Sequence, residues 1–297
     1  MLLVHAHPDD ESITTGATMA YYAAAGVHVT LLTCTLGEQG EILVDALRGL
    51  AAAQADQLGG WRIAELAAAM RELGVHDHRF LGGAGRFRDS GMLGTAANEH
   101  PRAFWRAATD AQVFDTAVAE LVTVLRDVRP QVVVTYDDNG DYGHPDHVMA
   151  HRVTTEAVRR AAAPAGAGEP WQVRKFYWTA TPVSVLQAGF DAVRAADVGF
   201  AAVPAAELGF GVPDEVVTTV LDADEFRPAK RAALGAHATQ IAVRGDFFAL
   251  SNGVGRRISG IEHFRLVAGS LGAQRDSDDH EQDLFAGVED ASSAATP

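Results

Sequence analysis

Apolar positions in this chain recur with two periods that alternate along its first two-thirds. Short runs over Leu2–His5, Val27–Thr33, Arg79–Leu81 and Val132–Val134 read as strands, the second and fourth being rich in β-branched residues. Between them, helical spacing predicts helices from about Thr15 to Ala25, from Ala55 to Leu73, from Phe114 to Val128 and from Pro145 to about Ala162. Gly26 and Gly74 stand just past the first two as stop signals, and Ala117, Leu121 and Leu125 recur every four residues in the third. Residues 36–54 are less regular. Strands alternating with helices of this length predict an α/β fold, a Rossmann-like and mostly parallel sheet with helices on both faces.

The pattern changes after about residue 160. Ala161–Pro170 is small, rich in Pro and Gly and without periodicity, which marks a linker. A strand over Val173–Thr179 and a helix over Phe226–Thr239 follow. The reading is a catalytic domain over 1–170 and a smaller C-terminal lobe over 171–297. Asp276, Asp278, Asp279, Glu281 and Asp283 crowd its end, so about 276–297 is expected to be a solvated, disordered acidic tail, with Leu284-Phe285 able to dock.

Composition narrows the partners. A net charge of −15 and a pI near 5.1 lack the basic face that nucleic acid or an anionic membrane requires. The single cysteine, Cys34, excludes an internal disulfide and fits a reducing compartment; within an apolar run it reads as a small buried hydrophobe. Nothing approaches the roughly 20 apolar residues of a membrane span, and Asp9, Asp10 and Glu11 interrupt the N-terminal apolar segment, so the expected location is cytoplasmic. Gly82-Gly83-Ala84-Gly85 lacks the spacing of a dinucleotide-binding loop.

The chemistry sits where two strands end. His7-Pro8-Asp9-Asp10 follows the first strand, and Tyr142-Gly143-His144-Pro145-Asp146-His147 follows the one over 132–134. Imidazole and carboxylate are the ligands zinc takes when thiolates are absent, and catalytic sites use three and leave a position open. Proline suits the first position of a helix, so each cluster can turn from a strand end into a helix. His7 and Asp10, about one turn apart, can then share a metal while Asp9 points elsewhere as a base. Taken alone, Asp9 and Asp10 are equally readable as complements of a helix N-terminus. The second cluster, in matched placement, shifts the reading to a metal site. In an open α/β sheet, ligands bind beyond the carboxyl ends of the strands, where both clusters fall.

These motifs resemble the LmbE/PIG-L family of zinc-dependent de-N-acetylases. The likeness extends through Thr33-Cys34-Thr35-Leu36-Gly37-Glu38, Ala55-Asp56-Gln57-Leu58-Gly59-Gly60, Leu81-Gly82-Gly83-Ala84-Gly85-Arg86, Arg88-Asp89-Ser90-Gly91-Met92 and Ala236-His237-Ala238-Thr239-Gln240, and it is closest to the actinobacterial branch that deacetylates N-acetylglucosaminyl-inositol in mycothiol biosynthesis. The resemblance implies one Zn²⁺ held by His7, Asp10 and His147, a donor set that also accepts Fe²⁺ or Co²⁺. It implies Asp9 as general base, His144 as oxyanion stabiliser or proton donor to the amine, Asp146 as the residue orienting His144, and Tyr142 as a mobile loop contact. Arg62 and Asp89, with Glu41, would hold the hydroxyls of a small glycosyl-inositol substrate. The related amidase that cleaves mycothiol S-conjugates carries a lysine soon after the first cluster; Glu11–Gly16 has none, which favours the deacetylase. A non-catalytic sugar- or metal-binding protein would be expected to have lost the base or closed the coordination sphere.

Overall fold

The structure, a computed structural model, describes residues 1–164, 168–207 and 209–288. Its first half runs β1 (Leu2–His5), α1 (Asp10–Thr14), α2 (Gly16–Ala24), β2 (Thr30–Thr33), α3 (Leu58–Glu72), β3 (Asp77–Phe80), α4 (Ala111–Val128), β4 (Val132–Thr135), a four-residue α5 (Gly140–Gly143) and α6 (Pro145–Ala161). The second half adds β5 (Lys175–Ala180), α7 (Val183–Ala196), β6 (Thr219–Asp222), α8 (Arg227–Ala236), β7 (Ala242–Arg244), β8 (Phe247–Ala249), β9 (Gly255–Arg257) and β10 (Ile261–Ala268). Helix α4 starts earlier than its apolar repeat because the Asp110 carboxylate accepts the backbone N–H groups of Gln112 and Val113, capping the first turn. Helix α7 has no counterpart among the predicted elements.

The main sheet has the strand order β3-β2-β1-β4-β5-β10-β6. Pairings from β3 through β5 are parallel, and β10 is antiparallel to both its neighbours. Strand alternation divides the apolar residues between two faces. Leu2, Val4 and Val133 pack with Leu121 and Leu125 of α4 and Met149 and Val153 of α6. Leu3, Val132 and Val134 pack with Met19 of α2, Leu66 and Met70 of α3, Phe264 and Leu284. Covered on both faces, β1 and β4 are buried along their whole length, as parallel strands require. Cys34 is buried just past β2, and its thiol is pushed up by that burial.

Residues beyond 170 extend the same sheet through β5, β10 and β6 and add a separate sheet, β7-β8-β9. The expected linker is tied down on both sides. Arg126 donates to the carbonyls of Arg160, Ala161, Ala163 and Gly168, while residues 165–167 lie outside the described residues.

The expectation of a solvated acidic tail holds for Asp278 and Asp279, which are exposed, and fails at Glu281, while Leu284 docks as expected. Glu281 is fully buried and pairs with β6 through Val220 N–H to Glu281 O (2.8 Å) and Glu281 N–H to Thr218 O (3.0 Å). Its carboxylate accepts from Lys175 Nζ at 2.7 Å and from the Tyr177 hydroxyl at 2.5 Å. Asp283 accepts from the Tyr22 hydroxyl at 2.6 Å, and Leu284 enters the core. A charge run treats its members alike; here one carboxylate has a buried counter-charge and another a phenol. Residues 289–297 of that expected tail lie outside the described residues.

Candidate active site

Strand order reverses between β1 and β4, which opens a crevice at their carboxyl ends. His7–Asp10 leave β1 there and Tyr142–His147 follow β4, so the topology brings together clusters about 140 residues apart. Three ligand atoms converge. His7 Nδ1 is 3.4 Å from Asp10 Oδ2, His147 Nε2 is 3.3 Å from the same oxygen, and the two nitrogens are 3.3 Å apart. Bonds of about 2.0–2.1 Å to a tetrahedral zinc place ligand atoms roughly 3.3–3.4 Å from one another. The triangle is therefore of metal-site size.

Proton placement supports the same conclusion. His7 Nε2 faces Asp146 Oδ2 at 3.3 Å and Asp89 Oδ1 at 3.6 Å, which draws the ring proton to Nε2 and leaves Nδ1 a lone pair aimed into the triangle. Burial pulls the His7 imidazole down, yet Asp89, Asp10 and Asp146 together hold it well above its usual pKa. Burial pushes Asp10 up, but His147 and His7 hold it well below the carboxylate range. The field at this point favours a cation, and the donor set fits one. His144 also has an atom within 4.8 Å of His7 and His147 donors, and His7, Asp89 and Asp146 form a second looser group. The His7–Asp10–His147 set is the tighter.

Asp146 meets His144 through its backbone and not through its carboxylate. Its carboxylate turns to His7 and accepts the Ser90 backbone N–H at 2.9 Å, while its own N–H donates to His144 Nδ1 at 3.1 Å. The reason lies in the helix start. With His144 at the N-cap and Pro145 in the first turn, the imidazole serves an orphan N–H of α6. That bond fixes the neutral His144 tautomer, leaving Nε2–H as its donor. Burial, with His7 and His147 nearby, lowers His144 to about 2, so the ring stays neutral.

Asp9 has φ 130°, a left-handed conformation costly for a residue with a side chain. Surrounding bonds hold it there. Its N–H donates to Glu11 Oε2 at 2.8 Å, and its carbonyl accepts from Ser12 and Ile13. Glu11 is itself fixed by the Ser12 hydroxyl at 2.6 Å and by His237 Nε2 at 2.8 Å. Burial raises the Asp9 carboxyl to about 6, against the pull of Arg62.

Arg62, which the resemblance implies as a sugar contact, is engaged with the protein's own groups. It lines the cavity, but it is buried, with Nη2 2.9 Å from Asp9 Oδ2, Nη1 donating to Gly37 O at 2.8 Å and a further bond to Pro8 O. A Cβ at Gly37, where φ is +64°, would lie 1.9 Å from Arg62 Nη1, so this approach needs glycine. Asp89 is similarly engaged, accepting from Gln39 N–H and Gly91 N–H while facing His7. Glu41 is exposed at the rim of the cavity. Tyr142 is 44 % exposed at its mouth, its ring edge-on to His147 with centroids 5.1 Å apart. Gly140 (φ +63°) lets the preceding turn pass His147, since a Cβ there would lie 2.7 Å from the Cβ of His147. The cavity measures about 290 Å³.

Sequence reasoning missed two supports. Tyr136 donates its hydroxyl to Asp10 Oδ2 at 2.7 Å, accepts from Ala6 N–H and stacks on His147 with ring centroids 4.3 Å apart. Its position just past β4 was the available signal. Glu11 gave none beyond its place in an acidic run, since its partner His237 is 226 residues away.

The comparisons agree with this geometry. The PIG-L family profile, described as GlcNAc-PI de-N-acetylase, matches residues 2–158. A protein of Acidothermus cellulolyticus, named 1D-myo-inositol 2-acetamido-2-deoxy-alpha-D-glucopyranoside deacetylase, is 60 % identical over 97 % of this chain and 95 % of its own. Among solved structures, N,N'-diacetylchitobiose deacetylase of Pyrococcus horikoshii is similar with a TM-score of 0.55 and 17 % identity, covering 90 % of this chain and 82 % of the other. GalB, the 4-carboxy-2-hydroxymuconate hydratase of Pseudomonas putida, gives a TM-score of 0.58 and 18 % identity over 93 % of this chain and 98 % of its own. A hydratase among such neighbours means that the fold alone does not set the reaction. The profile match and the near full-length identity place this chain in the PIG-L family of GlcNAc-PI de-N-acetylases.

Proposed function

We propose that this protein is a metal-dependent de-N-acetylase that hydrolyses the N-acetyl group of 1-D-myo-inosityl 2-acetamido-2-deoxy-glucopyranoside, giving acetate and the free amine for mycothiol biosynthesis. The observation that carries the reading is the triangle of His7 Nδ1, Asp10 Oδ2 and His147 Nε2, with a separate carboxylate, Asp9, beside it. Those three residues would hold one divalent ion, which we assign as zinc; Fe²⁺ and Co²⁺ suit the same donors. When bound, zinc polarises an amide carbonyl and lowers the pKa of its water to about 7.

The chain's own residues supply the rest. Asp9, raised by burial toward neutrality and held by Arg62, takes a proton from the attacking water. His144 donates from Nε2 to the carbonyl oxygen as negative charge develops, a contribution typically about 3–4 kcal/mol per donor. Because the His144 Nδ1 lone pair caps α6, this ring acts as a donor of fixed tautomer, and the proton taken up by Asp9 is the one available to the leaving amine. Asp146 and Asp89 orient His7. Tyr142 covers the mouth of the cavity, and Glu41 at its rim is available to a sugar hydroxyl.

Acetate release by the purified protein, before and after chelation and with Zn²⁺ restored, tests the proposal, with a mycothiol S-conjugate as a second substrate. Loss on chelation, recovery with metal and preference for the glucosaminyl-inositol are expected. Activity that survives stripping and does not rise with added Zn²⁺ would overturn the metal assignment, and preference for the conjugate would overturn the substrate.

A further inference from the structure

Arg256 lies in β9, paired in register with Phe248 of β8. Its guanidinium rests over the Phe210 ring, 4.6 Å from the centroid, and makes no hydrogen bond or salt bridge to any described residue. It lines the metal-site cavity and also a neighbouring chamber of about 250 Å³. The two spaces share Ile13, Thr14, Thr181 and Arg256, so they meet at this side chain. The cavity's other arginine, Arg62, commits both terminal nitrogens to Asp9 and two carbonyls and keeps only a buried Nε without a partner, so the open terminal guanidinium donors in the lining belong to Arg256.

A half-buried guanidinium carries five N–H donors in a rigid fork and, without acceptors, forgoes charge-assisted bonds worth having. A ligand is the natural source of acceptors. Its charge is constrained by the surroundings, because the same cavity is lined by Asp9, Asp10, Glu41, Asp89 and Asp141, and Asp141 and Tyr142 are the electrostatic neighbours of Arg256. An anionic group would meet five carboxylates, whereas a neutral ring bearing hydroxyls would not be repelled.

We propose that Arg256 is a specificity-determining residue whose guanidinium donates to a pair of adjacent hydroxyl oxygens on the substrate ring that is not deacetylated, held where the two chambers meet. The inference rests on the deacetylase reading above. It predicts that Arg256 contributes to a two-ring substrate and not to its N-acetylglucosamine half.

The test compares kcat and KM for the glucosaminyl-inositol and for N-acetylglucosamine in wild type, Arg256→Met and Arg256→Lys, at matched zinc content and melting temperature. In Arg256→Met the ratio of kcat/KM for the two-ring substrate over the single ring falls about tenfold or more, through KM. Arg256→Lys, which keeps a charge but not the fork, recovers part of it. Should Arg256→Met fail to fold, Arg256→Gln carries the same comparison. An unchanged ratio, or an equal fall in kcat on both substrates, would overturn the inference. Wild-type protein that releases acetate from neither substrate would instead overturn the deacetylase reading on which it rests.

Discussion

Arg62 holds the carboxylate of Asp9 at 2.9 Å with both side chains buried, and the same guanidinium bonds the Pro8 carbonyl next to it. The arginine therefore fixes the position of the base and the backbone that carries it. It also opposes the upward push of burial on the Asp9 carboxyl. Removing a cation beside a carboxylate favours its neutral form, so the charged base is reached only at higher pH. In Arg62→Gln the acidic limb of the kcat/KM profile is expected to move to higher pH, with a lower plateau. A limb that stays in place while only KM rises would favour the sugar-holding role that the family resemblance implies for Arg62.

Asp9→Asn is expected to retain metal and lose activity by about 10²–10⁴-fold, the range for a general base. Metal content by elemental analysis and acetate release on the same sample check this. Loss of the metal from the variant would require Asp9 and Asp10 to exchange roles.

Asp146→Ala tests the revised placement of that carboxylate. A carboxylate behind a ligating imidazole typically supports metal affinity by about 10–100-fold. The variant is expected to weaken zinc binding by that factor in a competition titration. Unchanged affinity with depressed kcat would instead favour an action through His144.

Glu281→Ala leaves the ammonium of Lys175 buried without its carboxylate, and breaking a buried pair from one side costs about 3–5 kcal/mol. Urea unfolding should show a loss of that size. A change under about 1 kcal/mol would mean that water reaches Lys175 and that the segment is loosely held.

The parallel half of the fold was legible because β1, β2 and β4 are buried on both faces and the helices on one, which writes short unbroken apolar runs between stretches of helical spacing. The residues of the candidate site were legible for a related reason: ligands would stand at strand ends, and His-Pro-Asp marks a strand turning into a helix. Their supports were not. Glu11 and His237, or Asp146 and His7, meet only after folding, over separations of 226 and 139 residues. The resemblance implied that Asp146 serves His144; the helix turn sends its carboxylate across to His7, and only its backbone N–H meets His144. The tail was misread at Glu281 because nothing local separates that residue from its solvated neighbours.

That late segment bears on how the protein is made. Lys175 and Glu281 are 106 residues apart, and the carboxylate belongs to one of the last described stretches of the chain. At about 5–20 residues per second, a ribosome needs roughly 5–20 s to travel from one to the other. Once β5 is made, β1 to β5 can pair, but the edge of β5 stays open until β10 follows, and the ammonium at the start of β5 has no counter-charge until Glu281 emerges. The nascent chain therefore passes through a period with an open sheet edge beside an unneutralised cation, when a chaperone has most to protect.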